Sequence, residues 1–221
     1  MQSRARVRFK VCCISSVEEM RIAVRAGASA VGLVSRMPSG PGVIPDERIA
    51  EIARRVPPGV DSFLLTSLQD PDAIIAQHRR LRTSTLQLVD ALPAGAHARL
   101  REALPGIRLV QVIHVVDGTA FDEALAVAED VDAVLLDSGN PTLEVKELGG
   151  TGRRHDWSIS ARIVEALDVP VYLAGGLNPS NAAEAVATVQ PFGLDVCTGV
   201  RGPDFALDVD KLDQFAAALA H

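Results

Sequence analysis

Short apolar runs rich in Val, Ile and Leu alternate along the whole chain with longer segments whose apolar positions recur at helical period. The first run, 7–14, precedes Ser16-Val-Glu-Glu, where the serine suits an N-cap and the acids suit a first turn. Gly27 is placed to end that helix. Runs at 29–34, 60–66, 85–89, 107–114, 131–137, 169–174 and 193–198 read as seven further strands. Helical segments follow them at 45–56, 71–81, 94–104, 119–129, 158–167, 179–189 and 208–220, the first of these stopped by Pro57 and Pro58. No linker or low-complexity stretch interrupts the series, so residues 1–221 read as one domain.

Eight such repeats with near-continuous apolar strands predict a parallel sheet covered by helices. An open doubly wound sheet would be expected to carry G-x-G-x-x-G after its first strand, but that position reads CCISSV. The pattern therefore predicts an α/β protein, a single-domain (β/α)8 TIM barrel, and places the site at the C-terminal ends of the strands.

Composition narrows the function classes. With 48% hydrophobic and 23% charged residues the chain reads as a soluble globular protein, and no apolar run approaches the roughly 18 residues of a membrane span. The apolar stretch VCCI near the N-terminus is too short for a signal-peptide core, so a cytoplasmic protein is expected, a monomer or homodimer. A net charge of −6, with one Trp and one Tyr, argues against nucleic acid as a partner. Three cysteines without C-x-x-C spacing and five scattered histidines give no support to a metal site.

Candidate chemistry sits where the barrel would put it. Cys12 lies near the end of the first strand, and alternation points Cys12 and Lys10 one way and Phe9, Val11 and Cys13 the other. A buried small hydrophobe is the common fate of a cysteine, yet a thiolate of lowered pKa can act as a general base. Asp137 closes the apolar strand VDAVLLD, where a carboxylate is costly to bury, so it faces either the barrel mouth or the following loop. That loop, 138–156, contains Gly149 to Gly152 and is long enough for a lid. Glycines after strands seven and eight form the usual phosphate cradle of this fold, which implies a phosphorylated small-molecule substrate.

Assembled, these segments resemble the phosphoribosylanthranilate isomerase family of tryptophan biosynthesis. The family opens with K-[IV]-C-G-[IL]-T, and KVCCIS stands at 10–15. Its LLDS and GGTGKTFDW are similar to LLDS at 135–138 and GGTGRRHDW at 149–157. Its LAGGLNPEN and DVSSGVE are similar to LAGGLNPSN at 173–181 and DVCTGVR at 195–201. The resemblance implies an Amadori rearrangement without a cofactor, in which Asp137 is the general acid and Cys12 the base. It also implies a phosphate held around Gly175, Gly176, Asn178, Thr198 and Gly199, with Lys10, Arg36, Gly150 and Asp195 lining the pocket.

Three positions depart from the family strings. Its glycine after the cysteine is Cys13. The arginine of its YPKSPRYVSPE, which contacts the anthranilate carboxylate, falls at Pro41, and the histidine of LQLHG falls at Val89. Arg36 and Arg201 are the candidates to replace that arginine. An isomerase of phosphoribosylanthranilate is therefore expected, the alternatives being a paralogue for another phosphoribosylamine or sugar phosphate and a non-catalytic phosphometabolite-binding barrel. Retention of Cys12 and Asp137 speaks against the last, because binding alone requires neither.

Overall fold

The structure is a computed structural model that describes residues 7–143, 145–148 and 152–220. Eight strands alternate with eight helices in the order β1 (Arg8–Val11), α1 (Val17–Arg25), β2 (Ala30–Val34), α2 (Asp46–Ala53), β3 (Asp61–Thr66), α3 (Pro71–Leu81), β4 (Thr85–Leu88), α4 (Ala96–Ala103), β5 (Arg108–His114), α5 (Thr119–Ala128), β6 (Ala133–Asp137), α6 (Trp157–Ala166), β7 (Val171–Leu173), α7 (Ala182–Val189), β8 (Gly193–Val196) and α8 (Val209–Ala218). All neighbouring strands pair in parallel, and β8 pairs with β1 to close the barrel. Among the described residues no helix is long and apolar enough to cross a membrane.

Alternation along each strand sorts the side chains into two apolar clusters. Val11, Leu64, Leu86, Val134 and Val196 face outward and pack with Met20, Ile74, Ile163 and Leu212 of the surrounding helices. Their neighbours Phe63, Leu65, Val110, Val112, Leu135 and Tyr172 fill the interior. Helix starts follow local chemistry: the side chains of Ser16, Asp70, Asp156 and Asp208 each accept a backbone N–H in the first turn. The strand C-termini are thus held at one rim, where Cys12, Asp137, Gly175, Gly176 and Thr198 gather.

Candidate active site

The β1 ladder runs one residue past the strand, with the Cys12 amide donating to the Val196 carbonyl at 2.8 Å. The chain then turns sharply, because Cys13 adopts φ 61°. This left-handed conformation costs a non-glycine residue about 1 kcal/mol, which explains a glycine in the family string. It also corrects the alternation expected from sequence: the Cys13 side chain faces the same cavity as Cys12. Room for the Cys12 sulfur comes from Gly32 on β2, where a Cβ would lie 2.8 Å from Sγ.

Arg201 fixes this turn from below. Its guanidinium donates to the carbonyls of Cys12 at 2.9 Å and Cys13 at 2.8 Å and pairs with Glu19 at 2.8 Å. Glu19 also accepts the Ser15 amide at 2.9 Å, so helix α1 and the cysteine turn share one network. Arg201 is buried and both of its terminal nitrogens are engaged in the barrel wall, so the structure does not offer it to a substrate carboxylate. Its role went unforeseen because sequence separation of some 190 residues hides the contact.

One layer deeper, Lys10 and Asp195 are paired across the β1–β8 seam at 2.6 Å, with the lysine completely buried. Burial pulls the Lys10 ammonium pKa down, but the charges of Asp195 and Cys12 outweigh it, and the group is held above its usual value. Burial pushes Asp195 up to about 7 against the pull of Lys10. The two groups with assigned chemistry move apart. Hydrogen bonds from Cys13 and Cys197, aided by Lys10, hold the Cys12 thiol well below its ordinary value. Burial raises Asp137, against a backbone N–H from Ser138 and the neighbouring His114. A thiol driven toward thiolate beside a carboxyl driven toward the neutral acid is the division of labour that acid–base catalysis needs.

Cys12, Asp137, Gly175, Gly176, Asp195 and Thr198 line a single cavity at the rim. Gly175 and Gly176 adopt φ 84° and 65°, and a Cβ on Gly176 would meet the Arg153 and Arg154 backbone at 2.8 Å. Glycine is therefore required both by conformation and by space. After β8 the chain makes a short 3-10 turn, Thr198–Val200, and Gly199 packs directly against the Leu177 carbonyl. Gly199 and Asn178 do not line the cavity. The Asn178 side chain closes a turn instead, accepting the Ser180 amide at 2.9 Å and hydroxyl at 2.6 Å. Gly150 lies outside the described residues.

The opposite side of the cavity is formed by Met37, Ser39, Pro41, Leu65, Gln87 and Leu148. Gln87 was not singled out from sequence, although its Oε1 is buried without a partner and it lines the cavity. The long loop after β6 is tied across this side: the Ser39 hydroxyl donates to the Lys146 carbonyl at 2.5 Å, and Lys146 Nζ meets Asp90 at 2.5 Å. Arg36 is exposed and outside the lining, and no Lys or Arg is among the described residues that line the cavity.

The sequence profile of N-(5'phosphoribosyl)anthranilate (PRA) isomerase matches residues 9–216. An N-(5'-phosphoribosyl)anthranilate isomerase of Haloferax volcanii is 37% identical over 96% of this chain and 92% of its own length. One of Methanocella arvoryzae is 30% identical over 94% and 95%. The crystal structure of phosphoribosyl anthranilate isomerase from Thermotoga maritima superposes with a TM-score of 0.82 at 28% identity, covering 96% of this chain and 98% of that one. A further such enzyme, in complex with reduced 1-(o-carboxyphenylamino)-1-deoxyribulose 5-phosphate, gives a TM-score of 0.80 at 26% identity, again over 96% and 98%. With the barrel, the rim cavity and these likenesses in agreement, the chain belongs to the N-(5'-phosphoribosyl)anthranilate isomerase family.

Proposed function

We propose that this protein isomerises N-(5'-phosphoribosyl)anthranilate to the corresponding 1-amino-1-deoxyribulose 5-phosphate, with Asp137 as general acid and Cys12 as general base. The observation that carries the reading is that these two groups share one cavity while their surroundings shift them in opposite directions. Asp137 gives its proton to the ribose ring oxygen as the C1–O bond breaks, and the anthranilate nitrogen forms the Schiff base. The Cys12 thiolate then removes the C2 proton, whose electron pair passes into the C1–C2 bond. The resulting enolamine takes a proton at C1 and releases the one on its C2 hydroxyl, leaving the ketone.

In this pose the phosphate lies against the Gly175–Gly176 and Thr198 backbone, and the aromatic ring lies toward Met37, Pro41 and Leu148. That second wall lacks a cation among the described residues, which favours one narrower reading: an aglycone without a carboxylate is also accepted. The experiment is a turnover assay following the loss of phosphoribosylanthranilate fluorescence, run beside a phosphoribosylaniline. Turnover of the first establishes the isomerase, and equal turnover of both establishes the relaxed aglycone. No reaction with either would remove the proposal.

A further inference from the structure

Three free thiols meet at the rim of the cavity, two from the end of β1 and one from the end of β8. Cys13 Sγ and Cys197 Sγ lie 2.6 Å apart, and Cys12 lines the same cavity as both. The family strings carry glycine and serine where this chain has Cys13 and Cys197, so the two extra thiols are features of this chain. One of them is kept at a backbone position that penalises any side chain, since Cys13 sits at φ 61°. Neither transfers a proton in the acid–base mechanism. We propose that Cys13 and Cys197 form a reversible disulfide that takes up oxidation by a hydroperoxide entering the cavity and returns Cys12 to its thiolate.

The chemistry balances. The Cys12 thiolate attacks the terminal oxygen of the hydroperoxide, forming S–O as O–O breaks, and an alcohol leaves after taking up a proton. The Cys197 thiol displaces water from the resulting sulfenic acid and joins Cys12 in a disulfide. Cys13 then loses its proton and attacks the Cys197 sulfur, and the Cys12 thiolate departs. The sum is two thiols and one hydroperoxide giving a Cys13–Cys197 disulfide, an alcohol and water. Two low-molecular-weight thiols reduce that bond by exchange. The leaving group is the thiol of lowest pKa in the cluster, which directs the exchange toward Cys12 release. Closing the two sulfurs to a bond requires a movement of only about 0.5 Å.

The test reads mass rather than turnover, so it stands or fails apart from the isomerase reading on which the naming of Cys12 as base rests. The full chain is treated with hydrogen peroxide, free thiols are alkylated, and the peptides are mapped without reduction. The expected product has lost two hydrogens, links Cys13 to Cys197, keeps Cys12 alkylated and reverts with a small-molecule thiol. In C13G the relay should stop one step earlier, with Cys12 bonded to Cys197. In C197S, which restores the serine of the family string, Cys12 should accumulate two or three oxygens at the dose that spares it in the parent. Absence of any linked product in the parent, a parent link that retains Cys12, or unchanged Cys12 oxidation in C197S would each overturn the proposal.

Discussion

Cys12 and Asp137 are both buried at the rim and both line the cavity. Asp137 uses one oxygen on the Ser138 amide at 2.7 Å, which leaves the other free to hold a proton. Cys12→Ser and Asp137→Asn should each lower kcat by roughly 10²–10⁴-fold with little change in KM, as loss of a proton-transfer group does. The kcat/KM profile of the parent should be bell-shaped, falling in acid as Cys12 protonates and in alkali as Asp137 ionises. The residual activity of Asp137→Asn should keep the acid limb and lose the alkaline one, and a profile unchanged in shape would move the acid role to another group. Pro41 invites a gain rather than a loss. Its backbone carbonyl accepts from Cys13 Sγ at 3.7 Å, a contact that survives substitution. Pro41→Arg should raise kcat/KM for phosphoribosylanthranilate by roughly ten- to a hundred-fold, the worth of a charged hydrogen bond. Asp137 was legible as a carboxylate ending an apolar strand, whereas the roles proposed for it and for Cys12 came from the family strings. Gln87 and Arg201 were not legible, since their significance lies in a buried orphan oxygen and in contacts made only after the barrel closes.

The elements were legible to different degrees, and the differences have local causes. Helix α3 spans Pro71–Leu81 as the pattern predicts, with Asp70 capping it and Pro71 in its first turn. Strand β1 stops at Val11 although the apolar run continues to Ile14, because the positive φ of Cys13 cannot belong to a strand. Helix α7 begins at Ala182 rather than at Pro179, since Asn178 and Ser180 form a side-chain turn and the Asn181 side chain accepts the Asn178 amide at 2.9 Å. The junction of the β6–α6 loop with α6 carries a titration of its own. His155 is half-buried and bonds Ser160 Oγ at 2.7 Å, and burial lowers its pKa from 6.5 to about 4. Above pH 6.5 the imidazole is neutral in both folded and unfolded chains and contributes no pH dependence. As pH falls toward 4 the unfolded chain takes up the proton first, so stability drops by up to about 3 kcal/mol. Urea unfolding of His155→Gln at pH 7 and pH 4.5 should show a smaller loss than the parent. Equal losses in the two proteins would assign the acid sensitivity to other groups.

The whole molecule is needed to assemble the site, because its parts come from opposite ends of the chain. The β1–β8 seam brings Cys13 beside Cys197 and Lys10 beside Asp195, and β6 contributes Asp137 to the same cavity as Cys12. A cradle built from the β7 and β8 loops exists only when those strands pair, so an anion bound there stabilises the folded barrel against the unfolded chain. Inorganic phosphate at a hundredfold excess over its Kd should therefore add about 2.7 kcal/mol by mass action. For a domain of this size that is a Tm rise of roughly 5–10 °C, measured against sodium chloride of matched ionic strength. Gly176→Val provides the discriminating variant. Its side chain would meet the Arg153 and Arg154 backbone rather than a yielding side chain, and φ 65° strains it further, so the cradle must distort. The rest of the barrel core lies away from this loop, and far-UV circular dichroism should remain that of the parent. The phosphate-dependent rise should then vanish while the chloride baseline shifts by the cost of the strain alone. A rise that persists in full in Gly176→Val would place the anion away from the loops after β7 and β8, and with it the phosphate end of the substrate.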